Sequence, residues 1–354
     1  MAVLDLLSEE VLASFSVPGP GGNVYRSPSG QYGLVVHRDE NRVTVVHSGL
    51  RLEDHGDHAD LVQGAPYILQ TLNVGRQPTH VWTGEHEIAI FNDADGTVAV
   101  LDERLFGLSL EYLGLESAGP DHGAAVVLGD HVLVGYLELG RVDAFTRGGE
   151  LETSFEGCPR LHGEASAGDV AAFGCADGVL LVTYEEGALS AVKLDNPAGT
   201  PEDARVGTVV AHEASPVMVG NLGDGVVLID AAAQTLEPVS LPSAPLRFAF
   251  DHTGEHLLVL TRDGELHRLE AQSGELQGSV SVMEAFDPGP GGGHGAARPG
   301  LAVGEHAVYV SVPSAGEVAE VRFEGDALSV TRRLEVGGTP SGVALLALEG
   351  GVIH

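Results

Sequence analysis

Short apolar runs recur along the chain at a regular spacing. Each is announced by glycine and one or two polar residues and is followed, after a turn, by a second run that alternates and ends in polar residues. Gly30-Gln31-Tyr32-Gly33-Leu34-Val35-Val36 with Asn41-Arg42-Val43-Thr44-Val45-Val46 is one such pair. Gly84-Glu85-His86-Glu87-Ile88-Ala89-Ile90 with Gly96-Thr97-Val98-Ala99-Val100-Leu101 is another. Further copies begin near Gly129, Gly168, Pro216, Gly254 and Gly304, so the unit repeats every ~40 to 54 residues. Runs of five or six apolar residues between Gly/Asp turns have the length of strands, and such a unit holds about four of them. One four-stranded sheet cannot hide both faces; packing several radially buries them and leaves only short edges. The pattern therefore predicts an all-β protein, a β-propeller.

The ends bear on closure of the ring. Val3-Leu4-Asp5-Leu6 and Glu10-Val11-Leu12-Ala13-Ser14-Phe15 read as the outer strands of a blade, Pro340-Ser341-Gly342-Val343-Ala344-Leu345-Leu346 as an innermost strand, and Gly351-Val352-Ile353-His354 as the start of the next. Seven internal units plus a closing blade shared by 1–22 and 339–354 predict eight blades, with seven as the alternative, in a single domain over 1–354. Met1 falls in mid-repeat, so either the shared blade is thin or residues are missing upstream, a signal peptide among them. Two insertions interrupt the repeat: one near 51–64, and a Gly/Pro-rich one near 286–297.

Composition narrows the partners. Fifty-one acids face eighteen bases, Lys193 being the sole lysine, for a formal charge of -33. Such a field repels phosphate backbones and anionic membranes and attracts cations, although acidity also serves solubility alone. No apolar run reaches the ~18 residues of a membrane-spanning helix, so no membrane insertion is expected.

Cys158 and Cys175 are the only cysteines. Apolar runs flanking Ser166-Ala167-Gly168-Asp169 predict a hairpin centred between 167 and 168, which sets Cys158 almost opposite Cys175 and within disulfide reach, with His162 just inside the staple. A disulfide points to an oxidising compartment.

Repeat position sorts the sixteen histidines. His86, His131, His256 and His306 recur after Gly-Glu or Gly-Asp between first and second strands and read as turn architecture. His80, His122, His162 and His294 stand instead at the entrance to the innermost strand of units two, three, four and seven, beside the central channel, where residues distant in sequence converge. Neutral imidazoles are common zinc ligands, and a following glycine, present after three of the four, admits close backbone approach to an ion. Hydrogen-bonded channel histidines are the alternative. His55-Gly56-Asp57-His58 gathers two imidazoles and carboxylates in one loop without zinc-finger spacing. Gly-x-Ser-x-Gly, the phosphate-binding Gly-x-x-x-x-Gly-Lys loop and His-Glu-x-x-His are all absent.

Several stretches resemble the zinc metallochaperones of the AztD type: Gly49-Leu50-Arg51-Leu52-Glu53-Asp54-His55-Gly56-Asp57-His58, Pro78-Thr79-His80, Asp121-His122-Gly123, and Cys158 to Ala165 followed by Phe173-Gly174-Cys175-Ala176-Asp177-Gly178. The resemblance implies a periplasmic, monomeric β-propeller that carries Zn2+ and passes it to the solute-binding protein of a zinc ABC importer. It makes His80, His122, His162 and His294 the leading metal ligands, with His55, Asp57 and His58 as a second or transfer site. The loop departs from the family pattern in continuing Ala59-Asp60-Leu61. Two other readings compete: a lactonase-like, metal-assisted hydrolase with Glu164 as its base, and a propeller serving only as a protein-interaction platform.

Overall fold

The computed structural model describes residues 1–19, 22–287, 297–325 and 327–348. Strands dominate; the one helical element among the described residues is a 3-10 turn, Glu103–Leu105. Seven four-stranded antiparallel sheets form the blades of a β-propeller. The first comprises β3 (Val24–Arg26), β4 (Tyr32–His37), β5 (Arg42–His47) and β8 (Tyr67–Leu72). Between its third and fourth strands the hairpin of β6 (Leu50–Asp54) and β7 (Ala59–Gln63) is inserted, which accounts for the longer first unit. Blades two to seven follow as meanders of four consecutive strands, from β9 (Pro78–Thr83) to β12 (Leu113–Glu116) in blade two through β29 (Leu301–Val303) to β32 (Ala327–Glu335) in blade seven.

The apolar runs of the repeat are the second and third strands of the blades, and both of their faces are buried. In β10 (Glu87–Asn92), Ile88 and Ile90 pack toward blade one while Ala89 and Phe91 pack toward blade three. Successive side chains point to opposite faces, so a strand between two sheets must be apolar at every position. The same arrangement builds a core layer at each junction between blades one and seven.

The eight-blade expectation is corrected here. Residues 1–19 contribute only the two-stranded hairpin β1 (Ala2–Leu4) and β2 (Val11–Ser14), and residues 339–348 pair in no sheet, so no eighth four-stranded blade forms among the described residues. Both segments fill the space between blades seven and one. Leu4, Leu6, Val343 and Leu345 pack on the buried face of blade seven, and Arg26 donates to the Ala347 carbonyl at 3.3 Å. A largely apolar cavity of about 950 Å³ remains between them. The proposed closing strand at 351–354 lies outside the described residues.

Candidate metal centre

Three neighbouring blades each bring one histidine to the channel. His80 lies in β9 (Pro78–Thr83), His122 directly precedes β13 (Gly123–Leu128), and His162 stands two residues before β17 (Glu164–Ala167). Their ring centroids form a nearly equilateral triangle with sides of 5.0, 5.0 and 5.1 Å. Among the described residues this is the group of three His, Cys, Asp or Glu whose ligand atoms all lie within 4.8 Å of one another.

Each ring is oriented through Nδ1. That of His80 donates to the Glu164 carboxylate at 3.0 Å, that of His122 to Asp93 at 2.8 Å, and that of His162 to the Gly207 carbonyl at 2.5 Å. These bonds assign the proton to Nδ1 and leave the Nε2 lone pairs for the centre. The Nε2 atoms of His80 and His122 are 3.2 Å apart. Zinc–nitrogen bonds of about 2.0 to 2.1 Å in a tetrahedron place neighbouring donors roughly 3.3 Å apart, so this pair already matches the edge of such a site.

The supporting groups come from blades one, two, four and five. Asp93 follows β10 and is also held by Arg38, which donates to it at 3.0 Å, to Thr79 Oγ1 at 3.2 Å and to Gln77 Oε1 at 3.3 Å. Trp82 Nε1 donates to Ser166 Oγ at 3.0 Å and ties blade two directly to blade four beside the His80–Glu164 contact. Asp93 and Glu164 have side chains only 7% exposed, against 18% and 20% for His80 and His122, so the carboxylates sit behind the rings.

Electrostatics separate the histidines. Burial disfavours the charged form of His80, but the Glu164 carboxylate outweighs it and raises the imidazole above its ordinary value. His162 faces a carbonyl instead of a carboxylate; burial, with the neighbouring charge of His80, lowers it to about 4. Burial alone would raise Asp93, and its hydrogen bonds from His122, Thr79 and Arg38 reverse that and hold it low, hence ionised.

The Cys158–Cys175 disulfide forms, with Cα atoms 4.9 Å apart, but not by the register expected. The hairpin pairs Ala167 with Val170 and Glu164 with Phe173, one residue later than a centre between 167 and 168. Cys158 lies before β17 in a loop that folds back: the backbone N–H of His162 donates to the Gly174 carbonyl at 2.9 Å, and that of Ala176 to the Pro159 carbonyl at 2.8 Å. The glycines after the histidines also serve a different end. A Cβ on Gly163, at φ +80°, would stand 2.7 Å from the Gly207 oxygen, and one on Gly123 2.7 Å from the Gly135 oxygen. Close approach is made to neighbouring backbone, which sets His162 against Gly207 and packs blade three.

His294 lies outside the described residues. His55, Asp57 and His58 are apart from the three-histidine centre, around the tip of the β6–β7 hairpin. There the His55 and His58 rings stack at 5.3 Å, His58 meets Asp57 at 2.8 Å, and both rings approach Asp60, at 3.3 and 3.4 Å. Glu164, considered as a catalytic base, accepts a hydrogen bond from His80 Nδ1. Asp93, Arg38, Asp60 and the Gly207 carbonyl were missed: one acid among fifty-one carries no signal, and a carbonyl carries none in any sequence. His131 and His256 behave as turn architecture, pairing with Glu152 and Asp251 of their own blades at 2.9 and 2.8 Å.

No family profile matches the chain. Zinc chaperone AztD from Citrobacter koseri is 28% identical over 362 residues, covering 99% of this chain and 84% of that protein. The structure of apo AztD from the same organism superposes with a TM-score of 0.87 at 26% identity, over 99% of this chain and 95% of that one. BamB from Moraxella catarrhalis, at TM-score 0.57 and 14% identity over 91% and 93% of the two chains, shares the fold alone. Over 99% of its length the chain is thus a β-propeller similar in sequence and in fold to a zinc chaperone, AztD.

Proposed function

We propose that this protein carries Zn2+ as cargo on His80, His122 and His162, at the mouth of the propeller channel, and releases it to an acceptor by ligand exchange. One observation carries the reading: three imidazoles from three blades have their Nδ1 atoms committed to Glu164, Asp93 and Gly207, and the Nε2 atoms of His80 and His122 already stand 3.2 Å apart. Carboxylate and carbonyl groups behind metal-binding histidines fix the ring and raise its basicity, an expensive arrangement for rings that merely fill a channel. Three protein donors leave one tetrahedral position open, as transfer requires and a sealed structural site forbids.

The finer reading follows the relative. The acceptor is the solute-binding protein of a zinc ABC importer, the compartment is the periplasm or another extracytoplasmic space in keeping with the disulfide, and the carrier acts as a monomer of one propeller domain closed by its terminal segments. The pair His55 and His58, with Asp57, is a second, exposed site from which metal is gathered or passed on.

The test is equilibrium zinc binding after metal-free purification. One tight equivalent is expected, weakened at least 100-fold by His122→Ala and by His162→Ala. Absence of stoichiometric zinc, or affinity indifferent to both substitutions, overturns the reading. Transfer to the solute-binding protein must also run faster than zinc dissociates into a chelator; equal rates overturn direct exchange.

A further inference from the structure

Beside the three-histidine centre a pocket of about 440 Å³ opens, lined by His122, Leu137, Glu138, Arg160, His162 and Arg205. Two guanidiniums here are unexpected on electrostatic grounds. The chain has only eighteen basic residues, and a centre that takes a dication through neutral imidazoles is weakened by neighbouring positive charge. The backbone of Arg160, whose side chain is exposed, and the side chain of Arg205 are nonetheless held in place. Arg160 sits at φ +52° in the loop closed by the disulfide, between Pro159, whose carbonyl accepts from Ala176, and His162. Arg205 is half-buried and donates Nη1 to the Arg160 carbonyl at 3.4 Å. Among the described residues no carboxylate pairs with either. Burial and the charge of Arg160 both press Arg205 below its ordinary value, as expected of cations gathered without a counter-ion.

We propose that Arg160 and Arg205 clamp a carboxylate in this pocket, and that this carboxylate supplies the fourth donor to the metal held by His80, His122 and His162. The guanidinium fork matches a planar carboxylate, and carboxylate oxygen is an ordinary zinc ligand at about 2.0 to 2.2 Å. Glu138 on the same pocket disfavours a doubly charged phosphate. The clamp rests on the three-histidine reading above and gives the carrier a control on affinity. With the carboxylate bound, its charge screens the guanidiniums and completes the tetrahedron; when it leaves, the two positive charges loosen the ion. Binding of metal and of carboxylate is therefore mutually cooperative.

The test uses the full chain loaded with Co2+, whose visible spectrum reports coordination, titrated at constant ionic strength with sodium acetate and, separately, with acetyl-Ala-Asp-Ala-amide. In the unaltered protein either carboxylate is expected to change the cobalt bands saturably and to raise Co2+ affinity at least fivefold. In the Arg160→Gln/Arg205→Gln double variant that enhancement should vanish, while Co2+ affinity without carboxylate rises two- to tenfold. A lower half-saturation for the peptide assigns the carboxylate to a protein side chain, and one for acetate to a free small anion. An enhancement that persists in the double variant, or cobalt bands unmoved by 100 mM of either probe, overturns the clamp while leaving the metal centre standing. Failure of Co2+ to bind, or binding unaffected by His162→Ala, overturns the metal centre itself.

Discussion

At the scale of single residues the proposed centre separates two jobs, Nε2 for a metal ion and Nδ1 for orientation. Asp93 is the most connected of the orienting groups, bound to His122 and Arg38 together. Asp93→Asn keeps the shape but removes the charge, and is expected to weaken zinc binding 10- to 100-fold in a competition titration, with little change in melting temperature. The histidines also predict the pH behaviour of the metal-free protein. His162 binds its proton more weakly when folded, at about 4 against ~6.5 unfolded, so the unfolded chain holds more protons between those values. Stability contributed there is present above pH ~6.5 and is lost as pH falls toward 4, by roughly 3 kcal/mol at most. His80, raised by Glu164, runs the other way: its contribution is full below ~6.5 and fades as pH rises through its folded value. Raised His80 carries a second proton, on Nε2, over a wider pH range, and zinc bound as proposed would displace it, so calorimetry in buffers of different ionisation enthalpy should register proton release on binding, diminished in Glu164→Gln.

Elements translate these contacts into rigidity. The disulfide closes a loop with a sequence separation of 17 that carries Arg160, His162 and Glu164 together, so it braces the site as well as the fold. Cys158→Ser/Cys175→Ser is expected to cost about 2 to 4 kcal/mol of stability by denaturant unfolding, and to weaken zinc binding severalfold. Gly163→Ala is a sharper probe, because φ +80° and the Gly207 oxygen both oppose a side chain. Far from the site, Glu320 in β31 (Glu317–Glu324) is fully buried and accepts from Arg322 at 2.8 Å, from Thr331 at 2.7 Å and from Arg332. Burial alone would raise its carboxyl, but these donors hold it at about 2. Its contribution is present above ~4.5 and is lost as pH falls toward 2, so a urea titration of Glu320→Gln should show a flatter acid limb than the parent.

For the whole molecule, the charge of -33 bears on how a cation would reach the proposed centre. A field of that sign concentrates divalent cations near the surface and repels acidic macromolecules, and salt screens it over ~10 Å at 0.1 M. Stopped-flow zinc uptake is accordingly expected to slow severalfold between 10 mM and 0.5 M sodium chloride, while the dissociation rate changes much less. An unchanged uptake rate would remove the field from the account. The ring geometry brings together three histidines that stand 42 and 40 residues apart in the chain, one per blade.

The hydrophobic pattern by itself determined the architecture, because a strand buried on both faces must be apolar throughout, and this mark repeats wherever two blades meet. Repeat position likewise separated His80, His122 and His162 from His86, His131, His256 and His306, since location within a blade decides whether a ring meets the channel or a turn. Blade number escaped the pattern: an end that reads as a strand becomes one only if partners pair with it, and residues 339–348 pair with none among the described residues. The path to the disulfide escaped it too, because a loop folding back reaches Cys175 as well as a hairpin does. Only the tertiary structure could decide which acids matter. Asp93 is an ordinary member of an acidic sequence, and Glu164 no more than a candidate base, until the packing of blades one, two and four places them behind two imidazoles, where a buried carboxylate must find a partner and a histidine gains its direction.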